Sequence, residues 1–381
     1  MPNKNTKSQK QVSKSSARKK PAAKPVNKGA SKSVVKSSTK SGVKPRPGSA
    51  TKGSAASSAA SNVSSSVGST AAVKPAMPEK SKKLPNFLGL PENFSSPENS
   101  KVMVIPVPYE ATTSYGQGTS RGPAAILEAS QQVELFDDEL WEEPFKIGIH
   151  TTAAIEMKTV DRYVAKPFEE LYDTVKQLVA INKFPLILGG EHSLTVGAVK
   201  ACAEQYKDLS ILQIDAHCDL RPEYEGNPYS HASVSYQLYH LLPKPLITQV
   251  GIRNVSAEEV KWLETEYPNV NIYWARQQER WNFQEIINTL SDNVYLTIDV
   301  DGLDPSIMPA TGTPEPGGIN WYQLMELVKL VCVKRNVVGA DIVELSPIPG
   351  FHAPDFLVAK LAYKLIGYRF ALDLGVTKRY V

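Results

Sequence analysis

Ser210-Ile211-Leu212-Gln213-Ile214-Asp215-Ala216-His217-Cys218-Asp219 is an apolar run that ends abruptly in carboxylates and an imidazole. A short stretch of this kind, bounded by polar residues, reads as a buried strand feeding a loop. Two further stretches share the design. Residues 185–188 run into Gly189-Gly190-Glu191-His192-Ser193, and residues 294–298 run into Asp299-Val300-Asp301-Gly302-Leu303-Asp304-Pro305. Outward from these lie apolar runs at 102–107, 146–149, 246–252, 270–274 and 337–343, with the third of the first set extending to residue 300. Helix-length segments such as 169–182 and 321–333 separate them. Eight continuous apolar strands alternating with helices predict an α/β fold with a mainly parallel sheet covered on both faces. In such sheets the chemistry sits where strand C-termini open into loops.

In an extended chain alternate side chains share a face, so Asp215, His217 and Asp219 are expected to converge, as are Asp299 and Asp301. Four carboxylates at one point repel unless cations neutralise them, and two divalent ions balance four aspartates. A carboxylate-rich set with imidazole suits Mn²⁺ or a similar ion, Ni²⁺ included, and the lack of a cysteine ligand set argues against structural zinc. Alone, each segment is weak: an Asp-x-His-x-Asp can be surface polarity, and a single histidine such as His192 is often structural. Three such segments at three strand ends favour a two-metal site. Glu191 is expected beside the ligands rather than among them, and Cys218, on the opposite face of an extended segment, to serve packing.

These motifs resemble the ureohydrolase family of arginases, agmatinases and relatives, which hydrolyse guanidino groups. The resemblance covers nearly all of residues 100–370. It includes the three segments above, Gly312-Thr-Pro-Glu-Pro-Gly-Gly318 and Glu344-Leu-Ser-Pro347, with Thr112-Thr-Ser-Tyr-Gly-Gln-Gly118 and Arg121-Gly-Pro-Ala-Ala-Ile126 similar to the first substrate loop. The Pro-Glu-Pro form and Tyr229-Ser-His-Ala232 resemble agmatinases more than arginases. The resemblance implies a three-layer arginase-type fold with an eight-stranded sheet, two Mn²⁺ ions and a homotrimer or homohexamer. It implies that His192 and Asp219 bind one ion, His217 and Asp301 the other, and that Asp215 and Asp299 bridge. It implies His231 as proton shuttle and Glu344 as the carboxylate that receives the guanidinium. His150, His240 and His352 match no catalytic motif.

The substrate expected from the motifs is agmatine, hydrolysed to putrescine and urea, with aminopropylagmatine, 4-guanidinobutyrate, guanidine and arginine as alternatives. Arginases carry Asn two residues after the last ligand of the second motif; here that place is Arg221. An inward Arg221 would repel the cationic end of agmatine and suit a guanidino acid, unless Glu223, Glu225 or a loop carbonyl intervened. Tyr109, Tyr115 and Tyr224 are further candidates for the pocket wall.

The first 84 residues belong to a different kind of polymer. They carry 19 Lys and Arg against the single acid Glu79, leaving 24 bases and 38 acids in the rest. No Leu precedes Leu84 and no aromatic precedes Phe87. Such a segment cannot bury enough apolar surface to offset chain entropy, so residues 1–84 are expected to be a disordered Lys/Ser/Ala/Pro-rich tail before a catalytic domain at 85–381. Prolines at 75, 78, 85, 91 and 97 suggest a linker over 75–100. The polycation suits non-specific contact with nucleic acid or another polyanion, without aromatics to stack on bases. A different class, a non-catalytic scaffold tethered by this tail, must explain why all six ligand positions are filled. Three cysteines, no apolar run of 18 residues and no secretory signal point to a cytoplasmic protein without a membrane span.

Overall fold

The computed structural model describes residues 84–157 and 168–377. The chain divides into two units, 1–76 and 77–381, and every described residue belongs to the second. Residues 1–83 of the expected basic tail lie outside the described residues.

Eight strands form one sheet: β1 (Val102–Val107), β2 (Ile149–Thr151), β3 (Phe184–Gly189), β4 (Leu209–Ile214), β5 (Ile247–Ile252), β6 (Val270–Trp274), β7 (Asn293–Asp299) and β8 (Asn336–Val343). Their order is β2-β1-β3-β8-β7-β4-β5-β6, and every pairing is parallel. The expected strand at 146–149 is displaced. Residues Pro144–Ile147 instead form a 3₁₀ turn closed by Gly148 at φ 82°, and β2 starts after it. Proline presets the turn's first φ and glycine supplies its exit, and together they outweigh the apolar run.

The helices are α1 (Glu92–Ser95), α2 (Gly122–Ser130), α3 (Glu169–Ala180), α4 (Thr195–Gln205), α5 (Val234–Leu241), α6 (Ala257–Thr265), α7 (Phe283–Asn288), α8 (Trp321–Lys334) and α9 (Ala353–Phe370). Strand alternation separates two cores. Val104, Leu186, Leu212, Leu296 and Ile342 pack toward α2, α7, α8 and α9. Ile105, Ile187, Ile211, Tyr295 and Val343 pack toward α3, α4 and α5. The fold is thus three layers, helix–sheet–helix. Leu171, Val175 and Val179 show why α3 lies flat on the sheet: the i, i+4, i+8 spacing forms one buried stripe on a helix whose first turn is acidic. Each such side chain contributes about 1.5–3 kcal/mol of burial. Capping boxes at Ser256/Glu259 and Asn320/Gln323 start α6 and α8.

The linker expected over 75–100 is corrected from residue 84 onward, and residues 75–83 lie outside the described set. Phe87, Leu88 and Leu90 are buried. The Leu88 N–H donates to Ser130 Oγ at 2.9 Å and the Phe87 N–H to Thr151 Oγ1 at 2.9 Å. Three apolar side chains with a place in the core override the punctuation of the prolines. No described helix is long and apolar enough to cross a membrane. Cys202, Cys218 and Cys332 are buried free thiols.

Candidate active site

The strand order places β3, β8, β7 and β4 side by side, so the segments that leave their C-terminal ends meet at one place. Those segments carry His192, Glu344, Asp299 with Asp301, and Asp215 with His217 and Asp219. All six expected metal ligands are brought together. His192 Nδ1 lies 3.2 Å from Asp215 Oδ2, 3.2 Å from Asp219 Oδ2 and 3.4 Å from Asp299 Oδ2. His217 Nδ1 lies 3.0 Å from Asp301 Oδ2 and 3.6 Å from Asp215 Oδ1. Two triads of ligand atoms result, His192/Asp215/Asp219 and Asp215/His217/Asp301, each within 4.8 Å, and Asp215 belongs to both. Asp299 approaches the first through His192.

The local backbone differs from the extended reading of these motifs. β4 stops at Ile214, and Asp219 sits at φ 51°. β7 stops at Asp299, and a 3₁₀ turn, Val300–Gly302, follows. Convergence therefore comes from turns rather than from strand alternation. Glu344, at φ 67°, also occupies left-handed backbone. Non-glycine residues in that region cost of order 1–3 kcal/mol, and here two of them aim carboxylates into the cluster.

Second-layer hydrogen bonds orient the ligands. His192 Nε2 pairs with Thr297 Oγ1 at 2.9 Å, leaving Nδ1 toward the carboxylates. Gln213 Nε2 donates to Asp215 Oδ2 at 2.7 Å, and Gln213 Oε1 accepts from Ser235 Oγ and Gln249 Nε2. The Ala216 N–H donates to Asp301 Oδ1, the His217 N–H to Asp215 Oδ1 and the Asp301 N–H to Asp299 Oδ1. Gln213 and Thr297 each lie two residues before the first aspartate of their motif, on the same strand face. A polar residue at that offset in an otherwise apolar strand was the available signal. Arg253 was not singled out from sequence. Its guanidinium donates to the carbonyls of Gly251, Asp301, Glu315 and Pro316, tying the ligand loop to the 315–316 loop.

Electrostatics support cation binding. Burial, then the charge of Asp215, pushes Asp219 up to about 7. Burial, with Asp301 and Asp215, holds Asp299 well above the usual carboxylate range. Burial also acts on Asp215, but His192 and His217 outweigh it and keep this carboxyl low. Burial opposes the charging of His217, yet Asp301 and Asp215 push it up to about 12. Without a cation the cluster is a frustrated set in which protons must stand in for charge. His192 Nδ1 is buried and lacks a properly angled hydrogen-bond partner, although three carboxylate oxygens surround it. That arrangement of hard oxygen donors with two imidazoles fits a pair of divalent ions.

A cavity of about 200 Å³ opens over this cluster, lined among others by Thr113, Tyr115, His217, Arg221, His231 and Glu344. Glu344 Oε1 accepts the His192 N–H at 2.7 Å, and burial together with the charge of Glu191 raises its pKa well above the ordinary value. The His231 ring meets Tyr224 edge to face, and its Nδ1 lies 3.1 Å from Thr112 Oγ1. Burial lowers the His231 pKa, while the charge of Glu191 opposes the shift. Arg221 does not stand free in the pocket. Its Nε is 3.9 Å from Glu259 Oε2 and its guanidinium lies over the Tyr224 ring at 5.1 Å. Tyr115 is exposed, whereas Tyr109 is buried in the core beside Phe168 rather than among the cavity residues. Cys218 is buried with Leu220 and Ile252 yet also borders the cavity, so packing is only part of its setting. Glu191 accepts from residues 111–112 and from the Ser193 hydroxyl, not from one of the six expected ligand side chains. His150 and His240 bond to backbone carbonyls away from the cavity.

Comparison with known proteins shows the family of the chain. The model of the "Arginase family" matches residues 100–367. The N(1)-aminopropylagmatine ureohydrolase of Synechocystis sp. is 38% identical over 285 residues, 73% of this chain and 92% of that protein. The agmatinase of Bacillus cereus is 35% identical over 253 residues, 66% of this chain and 85% of that protein. Among solved structures, the agmatine ureohydrolase of Thermoplasma volcanium superposes with a TM-score of 0.66 at 32% identity, covering 72% of this chain and 92% of that one. With six ligand positions filled, the eight-stranded parallel sheet in place and the family match spanning most of the described residues, the chain belongs to the arginase family and is a ureohydrolase, a hydrolase of C–N bonds in linear amidines.

Proposed function

We propose that residues 85–381 are the catalytic unit, and that it hydrolyses a guanidino compound with a cationic tail to urea and an amine. Agmatine, giving putrescine, is the first reading. The observation that carries the cationic tail is the pairing of Arg221 with Glu259 at 3.9 Å and with the face of Tyr224, which offsets the charge that would otherwise repel a cationic substrate end. N(1)-aminopropylagmatine is the second reading, favoured by relatives of that name at 38% identity.

His192 and Asp219 would hold one metal ion and His217 and Asp301 the other, with Asp215 and Asp299 shared between them. Mn²⁺ is the proposed metal and Ni²⁺ the alternative, since both accept this ligand set. When bound, two divalent ions supply a nucleophilic water at neutral pH and positive charge against the negative charge that develops in the transition state. The chain's own residues do the rest. Glu344, its carboxyl fixed by the His192 N–H, pairs with the planar N–H fork of the substrate and aims the central carbon at the cluster. A guanidinium beside it restores the charged form that burial disfavours. His231, neutral in the empty pocket, takes up a proton and delivers it to the leaving amine.

Urea release across a panel of agmatine, N(1)-aminopropylagmatine, 4-guanidinobutyrate, guanidine and L-arginine tests the proposal, with Mn²⁺ or Ni²⁺ added to metal-free protein. Highest kcat/KM on one of the two polyamine precursors is expected. Preference for 4-guanidinobutyrate or arginine would reject the role given to Arg221. No urea from any of them would favour the scaffold reading.

A further inference from the structure

We infer that Glu191, acting through the hydroxyl of Thr112, fixes the tautomer of His231, so that Thr112 and Glu191 are positioning residues of the reaction. The inference rests on the role proposed for His231.

The hydrogen bonds leave one consistent assignment. Glu191 is buried. Its Oε2 accepts the backbone N–H groups of Ala111 at 2.5 Å and Thr112 at 2.6 Å. Its Oε1 accepts the Thr112 hydroxyl at 2.9 Å and the Ser193 hydroxyl at 2.5 Å. The Thr112 hydroxyl donates to Glu191 Oε1, so its single hydrogen points to Glu191. That hydroxyl has two lone pairs left. One takes the backbone N–H of His231 at 3.0 Å, and the other faces His231 Nδ1 at 3.1 Å. A lone pair facing Nδ1 requires the proton on Nδ1. The neutral ring therefore keeps its free lone pair on Nε2, the only ring position left to take up and release a proton.

The same carboxylate ties three segments that chemistry needs in register. It holds the start of the substrate loop at 111–112, it adjoins the ligand His192, and through Thr112 it reaches the turn that opens α5 at His231. The wrong tautomer would point Nδ1 at Thr112 as a second acceptor and leave a proton on Nε2 before the reaction starts, a mispairing that costs turnover rather than binding.

The test is a double-mutant cycle on the metal-loaded enzyme, with kcat, KM and metal content measured for Thr112→Val, Thr112→Ser, His231→Asn and Thr112→Val/His231→Asn. Thr112→Val, close in shape but without the hydroxyl, is expected to lower kcat about 10- to 100-fold, within the range that a positioned acid–base group supplies. KM and metal content should stay within about twofold, and Thr112→Ser should recover most of the rate. In the His231→Asn background Thr112→Val should have no further effect. Equal losses in both backgrounds, or a Thr112→Val enzyme with the wild-type kcat, overturn the coupling while leaving the role of His231 intact. Wild-type kcat in His231→Asn alone overturns that role and the inference with it. Should Thr112→Val fail to fold, Thr112→Ala supplies the same comparison.

Discussion

The backbone N–H of His192 donates to Oε1 of Glu344 at 2.7 Å, although 152 residues separate them. The pairing exists because β3 and β8 are neighbours, with Leu186, Ile187 and Leu188 registered against Ala340, Asp341 and Ile342. Through it, the proposed guanidinium carboxylate is positioned by a proposed metal ligand's own backbone.

Glu344→Gln should therefore fold and keep both ions, since an amide oxygen still accepts the His192 N–H. It loses the charge that pairs with guanidinium, and kcat/KM should fall by about 100-fold, the equivalent of about 2.7 kcal/mol for a charged, buried pairing. Urea release alongside elemental analysis checks both halves. Wild-type kinetics in this variant would remove Glu344 from substrate recognition.

Asp215 alone belongs to both ligand triads. Asp215→Asn should lose both ions and all measurable turnover, and elemental analysis showing one tightly held ion per chain would restrict Asp215 to a single site. Chelation of the wild type should likewise lower the melting temperature, because ligands that bind only the folded state add about 2.7 kcal/mol at a hundred times their Kd.

A Cβ on Gly190 would stand 1.8 Å from the Tyr109 carbonyl oxygen. No side-chain movement relieves a clash with backbone, so Gly190→Ala should cost about 3 kcal/mol or more and reduce soluble yield. Thermal melting measures it. An unchanged melting temperature would mean that β1 and the 190–193 turn are not packed as described.

Glu139 offers a pH test remote from the metal cluster. Burial alone would raise its pKa, but hydrogen bonds from Tyr368 and Lys329 hold it below the ordinary 4.5. A depressed carboxyl stabilises the fold fully above the unfolded value and loses that contribution as pH falls through the folded one. The urea midpoints of wild type and Glu139→Gln should therefore differ by a constant amount from pH 7 down to about 5. Below the unfolded value of 4.5 the difference should close. A gap that widened on acidification would contradict the sign. Partial exposure of Glu139 keeps the effect modest.

The α/β class and the three polar segments that meet at the strand ends were legible in the chain. Strands buried on both faces must be continuously apolar, so the carboxylates of Asp215 and Asp299 stand out at their ends. Local punctuation was less informative. Pro91 and Pro97 suggested a linker, yet Phe87, Leu88 and Leu90 reach the core, because whether an apolar side chain finds a partner is not a local property. The turn that swings Asp219 to φ 51° was also hidden, since nothing in Asp-Ala-His-Cys-Asp names a left-handed residue.

By itself the sequence determined which atoms were available at the strand ends: four aspartates, three histidines and a glutamate, to which the cation, guanidinium and proton-transfer roles are proposed. Only the tertiary structure decided what each atom faces. Strand order set β3, β8, β7 and β4 side by side and made one cluster of segments spread over 150 residues. It also gave Arg221 to Glu259, Glu191 to the backbone at 111–112, and Thr112 to His231. Residue types fix the chemistry a group can perform. Pairing, protonation and tautomer depend on neighbours far along the chain, which folding alone brings within hydrogen-bond reach.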